Sequence, residues 1–222
     1  VYIGMKDPNK LVNGKGIRRL KAAGIKISVG LLKEECEKLN EGFVKFMKTG
    51  LPFVTMKTAI SLDGKIATRT GNSKWISGTQ SRNFVHELRN QNSAILIGTN
   101  TILKDNPQLT FRLKKKGGRN PTRIILDREN KIPLKAKVFS NSKKQRVIYV
   151  SGSKISLKRK KTLVEKNIEI ISLQHCVDNL QNNKVDERDS FWLSEIEKVA
   201  LNQSKHTKVL SSLSIENTPE RA

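Results

Sequence analysis

Between Val54 and Arg112 the chain reads VTMKTAISLDGKIATRTGNSKWIS and then VHELRNQNSAILIGTNTILKDNPQLTFR, and this order of elements restricts the fold more than any other part of the sequence. A β-rich apolar run is broken by a Ser-Leu-Asp-Gly turn. A helix carrying an arginine follows, and a short buried strand then empties into Gly98-Thr99-Asn100-Thr101. Strand, helix and strand in succession imply a crossover, so the two strands lie parallel in one sheet. A turn at the carboxyl end of such a strand is where α/β enzymes hold phosphorylated ligands.

The alternation continues on both sides. Apolar and β-branched spacing predicts strands over residues 53–61, 94–97, 109–113, 123–126, 146–150 and 168–171. Helices are expected from 77, where Ser77 and Gln80 read as a capping box, to about 90, and over 158–165. Upstream, residues 1–5 read as a strand, Asp7-Pro8-Asn9 as a turn, 14–23 as a helix closed by Gly24, and 25–29 as a strand. Residues 31–47 read as one amphipathic helix with Leu32, Cys36, Leu39 and Phe43 on one side. Thr49-Gly50-Leu51-Pro52 breaks it and marks the expected domain boundary. Beyond Gln174 only scattered leucines and valines remain, with a weak helical signal over 191–201, and this stretch is not expected to join the sheet. An unpaired sheet edge and self-association are the expected results.

Composition narrows the class of function. With 222 residues and 36% hydrophobic content the chain can build a core. No apolar run reaches the roughly eighteen residues of a membrane span and the first residues are not a secretory leader, so a cytoplasmic protein with no membrane partner is expected. Cys36 and Cys176 form no Cys-x-x-Cys, and three histidines give no zinc spacing. The formal charge of +23 concentrates at Lys114, Lys115, Lys116 and Arg119, and again at Lys154, Lys158, Arg159, Lys160 and Lys161. Phosphate neutralisation of a nucleic acid fits that charge. Solvated lysine faces fit it better, because aromatic residues make up only 5% of the chain and no nucleic-acid-binding pattern accompanies the charge. An anionic small substrate fits as well.

Three sets of residues near the start, Tyr2-Ile3-Gly4-Met5-Lys6-Asp7-Pro8-Asn9, Gly14-Lys15-Gly16-Ile17 with Leu20-Lys21-Ala22-Ala23-Gly24-Ile25, and Leu39-Asn40-Glu41-Gly42-Phe43, resemble the end of the deaminase domain of the bacterial bifunctional riboflavin biosynthesis family RibD. Lys57-Thr58-Ala59-Ile60-Ser61-Leu62-Asp63-Gly64-Lys65, Ser73-Lys74-Trp75-Ile76, His86-Glu87-Leu88-Arg89, Gly98-Thr99-Asn100-Thr101 and Asp105-Asn106-Pro107-Gln108-Leu109-Thr110-Phe111-Arg112 resemble the start of its reductase domain. The resemblance covers roughly the first 170 residues. It implies an α/β chain with a partial cytidine-deaminase-like remnant over 1–48, an incomplete dihydrofolate-reductase-like, mainly parallel sheet over 49–173, and a divergent tail over 174–222.

For chemistry, the resemblance implies NADPH-dependent reduction of 5-amino-6-(5-phosphoribosylamino)uracil to its ribitylamino product, with zinc belonging only to an upstream deaminase part. Ala59, Trp75, Thr101 and Asp105 are then expected at the cofactor, and Ser73, Arg89, Leu109 and Arg112 at the substrate, with no catalytic residue and no metal. Arg89 and Arg112 suit a phosphate clamp, since guanidinium forks match phosphate oxygens. A complete protein of this kind is expected to form a homo-oligomer. Asp63-Gly64 reads at least as well as a tight turn. Thr99 and Thr101 read as helix caps or as phosphate-facing residues, and His86 as a surface or packing residue. A Glu-Gly-Gly segment of the family's cofactor site has no counterpart: Trp192-Leu193-Ser194-Glu195-Ile196 lacks glycine, and none follows Gly152. The expectation is therefore a reductase of this type, with an active or an inactive fragment both left open, and the alternative is a catalytically dead basic module for phosphate, nucleotides or RNA.

Overall fold

The computed structural model describes residues 1–113, 117–152, 154–172 and 208–212. Their contacts define two compact units, one covering Val1–Phe53 and one that begins at Val54 and regains the chain at Lys208.

In the first unit β1 (Tyr2–Ile3) and β2 (Ser28–Val29) pair in parallel, joined through α1 (Lys15–Ala22), which ends where Gly24 takes a φ of 74°. A Cβ on Gly4 would run into Cys36 Sγ, so glycine is what lets the chain after β1 pass beside Cys36. The single helix expected over 31–47 is two, α2 (Lys33–Leu39) and α3 (Glu41–Thr49). Asn40 divides them. Its side chain bonds back to the Cys36 carbonyl at 2.9 Å while its own carbonyl accepts the Val44 N–H at 2.9 Å, so one residue closes one helix and opens the next. The expected apolar face does not form: Leu39 is 81% exposed and Leu32 is the left-handed residue ahead of α2.

The second unit is built on six strands, β3 (Phe53–Lys57), β4 (Ala94–Gly98), β5 (Thr122–Asp127), β6 (Val147–Ser151), β7 (Glu169–Ser172) and β8 (Lys208–Ser212), in the order β3-β8-β4-β5-β6-β7. β4, β5, β6 and β7 pair in parallel, with Leu96 opposite Ile124 and Ile125 opposite Tyr149. AILIG, TRIILD and VIYVS are buried almost throughout, the signature of parallel strands covered on both faces. α4 (Thr79–Gln91), α5 (Thr99–Asp105) and α6 (Leu157–Glu165) make the connections. Ile95, Ile97, Ile125, Leu163 and Tyr149 centre the core, joined by Val138 and Phe139 from a short 3-10 turn. Each such side chain stabilises the fold by roughly 1.5–3 kcal/mol. The fully buried Arg123 pins that turn to β5 by donating to the Val138 and Ser140 carbonyls at 2.7 and 2.8 Å.

Three further expectations are corrected. Residues 109–113 are not a strand: Leu109 has a φ of 55°, and the Phe111 N–H is taken by the Asn120 side chain at 2.8 Å instead of a ladder partner. Ser77 does not cap α4, whose N-cap is Gly78 with no side-chain bond. The chain beyond 174 does enter the sheet, through β8, which pairs in parallel with β4 from Ala94 opposite Val209 to Ile97 opposite Ser212. KVLSS carries only two apolar residues and so leaves no periodic signal, but lying between β3 and β4 it has a hydrogen-bonding neighbour on each side. The expectation that nothing after 174 joins the sheet therefore fails, and β4 is paired on both sides, with β5 and with β8. Residues 191–201 lie outside the described residues, as do Lys114–Lys116. No helix among the described residues is long and apolar enough to cross a membrane.

Candidate functional site

Alternation along β3 leaves Phe53, Thr55 and Lys57 half-buried and Val54 and Met56 exposed, which puts a lysine on the inner face. The last turns of α4 bring His86 and Arg89, three residues apart and hence on one helix face, into the same neighbourhood. Thr110 to Arg112 runs alongside: Phe111 meets the His86 ring edge-on at 6.4 Å, and the Thr110 carbonyl lies 3.5 Å from Arg89 Nη1.

The charges in this group act on one another. Burial holds the Arg89 guanidinium down to about 10, and the positive Arg112 adds to the effect. Burial and then Arg89 lower the Lys57 amine, while Asp105 pulls it the other way. His86 is lowered from 6.5 by burial, then by Arg89 and Arg112. At 3.3 Å from Arg89 Nη1, His86 Nδ1 is an acceptor, as a neutral ring allows. Both contacts of Arg89 are long, and its Nε is buried without a hydrogen-bond partner among the described residues. Cations held together and partly stripped of water are unfavourable in isolation. They become favourable when an anion with several acceptor oxygens sits among them, and a phosphate dianion matches the guanidinium fork.

The structure thus brings together Arg89, Arg112 and Asp105 of the expected residues and adds Lys57, which sequence reasoning missed although the alternation of β3 signals it. His86 packs on Phe111, as a packing residue would, and also faces both arginines. Thr101 is buried in the first turn of α5, and Asp105 is exposed at its end. Leu109 is buried as a member of the hydrophobic core. Neither Thr99 nor Thr101 caps α5, whose N-cap is Gly98 with no side-chain bond.

Ala59, Ser73 and Trp75 lie on the connection between β3 and α4. There Ser61, Asp63 and Lys65 close the tight turn expected at Asp63-Gly64, with Gly64 at a φ of 79°. Trp75 is 74% exposed, so it is not core, and the Arg82 guanidinium covers one face of its ring at 4.3 Å. Arg82 is itself held by the Ser77 carbonyl at 2.5 Å and Thr79 Oγ1 at 2.9 Å. No cluster of three or more metal-binding side chains occurs among the described residues.

The family model described as RibD C-terminal domain matches residues 52–187. A riboflavin biosynthesis protein RibD from Aquifex aeolicus is 40% identical over 182 residues, covering 82% of this chain and 49% of the relative. Its Escherichia coli counterpart is 41% identical over 143 residues, covering 60% and 39%. Among solved structures, a Thermotoga maritima protein described as a diaminohydroxyphosphoribosylaminopyrimidine deaminase/5-amino-6-(5-phosphoribosylamino)uracil reductase superposes with a TM-score of 0.73 at 36% identity, over 95% of this chain and 53% of that one. RibD of Acinetobacter baumannii gives 0.75 at 30% identity, over 96% and 54%. The chain spans about half the length of these relatives.

Proposed function

The chain belongs to the RibD C-terminal domain family, and we propose that it is the reductase part of a riboflavin-biosynthesis enzyme, reducing the ribosyl side chain of 5-amino-6-(5-phosphoribosylamino)uracil with NADPH. The observation that carries this reading is the cluster of Lys57, Arg89 and Arg112, in which Arg89 has a buried, unpartnered Nε. Arg89 and Arg112 hold the substrate phosphate. Leu109 and Ser73 line the substrate side. Lys57 Nζ, its proton loosened by burial and by Arg89, is the acid–base group of the site.

The residues present suit NADPH in their donor chemistry. The surface is cationic, a single carboxylate, Asp105, acts on Lys57, and an exposed aromatic ring, Trp75, stands on the neighbouring connection. Ala59, Trp75, Thr101 and Asp105 are the residues that would hold it. When bound, the cofactor supplies the hydride. The protein supplies position and charge, fixing the phosphate end of the substrate so that the sugar carbon is presented in one orientation. Residues 1–48 we read as the remnant of a preceding deaminase domain. Against the alternative of a basic RNA-binding module stands Arg159, which belongs to one of the lysine-rich clusters but turns inward to Tyr149 and Asp127.

The test is a pair of titrations on the full chain, with the phosphoribosylaminouracil substrate and with NADPH. Arg89→Ala or Arg112→Ala is expected to weaken substrate binding by about 2 kcal/mol, roughly 30-fold, and to leave NADPH affinity in place. A loss of NADPH affinity with substrate affinity unchanged refutes the assignment.

A further inference from the structure

A second buried group, unused in the chemistry above, sits where β5 ends. Asp127 is fully buried, and its carboxylate accepts from five donors: the Lys131 and Ile132 N–H groups, each at 2.9 Å, Tyr149 Oη at 2.7 Å, Thr99 Oγ1 at 3.1 Å and Arg159 Nη2 at 3.4 Å. The two N–H bonds fold the chain after β5 around the carboxylate. Arg159 offsets its charge, stacks over the Tyr149 ring at 5.4 Å and bonds the Ile132 carbonyl at 2.5 Å. Burial and the negative Asp127 raise the Tyr149 phenol, which keeps it a donor. An arrangement with only donors pointing inward accepts a carboxylate and rejects an amide, whose NH2 would face another donor.

Thr99 is the donor that leads elsewhere. It is the first residue of α5, and its hydroxyl is shared between Asp127 Oδ1 and the Leu126 carbonyl at 2.9 Å. The strand register explains the meeting: Gly98 stands opposite Leu126, so the next residues, Thr99 at the start of α5 and Asp127 at the end of β5, lie side by side. α5 has seven residues, too few to be stable alone, and no side chain caps it. Two of the contacts that hold it are Ile102, packed in the core, and the Thr99–Asp127 tie.

We infer that Asp127 is a positioning residue, which through Thr99 fixes the start of α5 and so sets where Thr101 and Asp105 meet the cofactor. The cofactor half of this inference rests on the reductase reading; the anchoring half stands without it.

Hydrogen exchange by mass spectrometry on the full chain tests the anchoring, with Thr99→Val, Thr99→Ser, Asp127→Asn and the core control Ile148→Val. Thr99→Val and Asp127→Asn are expected to speed exchange across α5 at least tenfold relative to β6. Thr99→Ser, which keeps the hydroxyl, restores the parent pattern, and Ile148→Val leaves α5 as in the parent. Calorimetric titration with NADPH is expected to show at least fivefold weaker binding for Thr99→Val and parent-like binding for Thr99→Ser. Unchanged α5 exchange in Thr99→Val overturns the anchoring, whether or not NADPH binds. Faster α5 exchange with equal NADPH affinity overturns the link to the cofactor. A parent chain that fails to bind NADPH refutes the reductase reading and the cofactor half with it, and the exchange data then decide the anchoring alone.

Discussion

Replacing Arg89 with methionine is expected to make the ligand-free protein more stable while removing its affinity for phosphate. The guanidinium is held down to about 10 from 12.5, and at about 1.4 kcal/mol per pKa unit that depression corresponds to roughly 3 kcal/mol disfavouring the charged side chain in the folded state. Against this stand two long contacts, to His86 Nδ1 at 3.3 Å and to the Thr110 carbonyl at 3.5 Å, together worth about 1 kcal/mol at most. Methionine keeps the apolar stem packed, so the expected net gain is about 1–2 kcal/mol. Urea unfolding at pH 7.5 measures it as a rise in midpoint at constant slope. Repeating the curve with added inorganic phosphate separates the two effects, because an anion bound only to the folded state stabilises the parent and leaves Arg89→Met unmoved. A variant destabilised by more than about 1 kcal/mol, or one that gains from phosphate as the parent does, refutes the idea that Arg89 is an unsatisfied cation waiting for an anion.

Two further outcomes follow from the same region. His86 is depressed below 6.5 in the folded protein. Above that pH the ring is neutral in both states; as pH falls through 6.5 the unfolded chain takes up its proton first, so stability declines until the lower folded value is passed. His86→Gln should remove that part of the slope, and identical stability–pH curves for parent and variant between pH 5 and 7.5 would exclude the mechanism. Leu109 is buried with a φ of 55°. Leu109→Ala should cost about 2–4 kcal/mol through the cavity it leaves, and Leu109→Gly should cost no more than Leu109→Ala, because glycine relieves the left-handed backbone. A glycine variant clearly less stable than the alanine one would argue that the backbone there is unstrained.

What the sequence made legible was whatever repeats along a single element. Ala94–Gly98, Thr122–Asp127 and Val147–Ser151 announce themselves as apolar β-branched runs, and the helices between them imply the parallel order. Arg89 could be put on a helix because the pattern around it is local. Lys57 was equally legible, since a lysine in step with Phe53 and Thr55 belongs on the inner face. Asn40 is ambiguous in sequence because its side chain competes with the helix backbone only where packing allows. The stretch from Leu109 to Arg112 has the composition of a strand, and its fate is set by Asn120, from across an intervening loop. β8 was hidden for the opposite reason: its place depends on neighbours distant in the chain, and five residues with two apolar side chains carry no period of their own.

The position of β8 also orders the birth of the protein. Among the described residues β3 has one strand neighbour, and that neighbour is β8, about 150 residues later in the chain. At roughly 5–20 residues per second on the ribosome, β3 waits on the order of 10–30 s after it is made. The block from β4 to β7 can assemble meanwhile, each strand pairing with one already synthesised or soon to follow. The sheet therefore closes from its middle outward, and its first-made strand is the last to be enclosed. Lys57 rides on that strand, so its place beside Arg89 is taken up only when translation has passed β8.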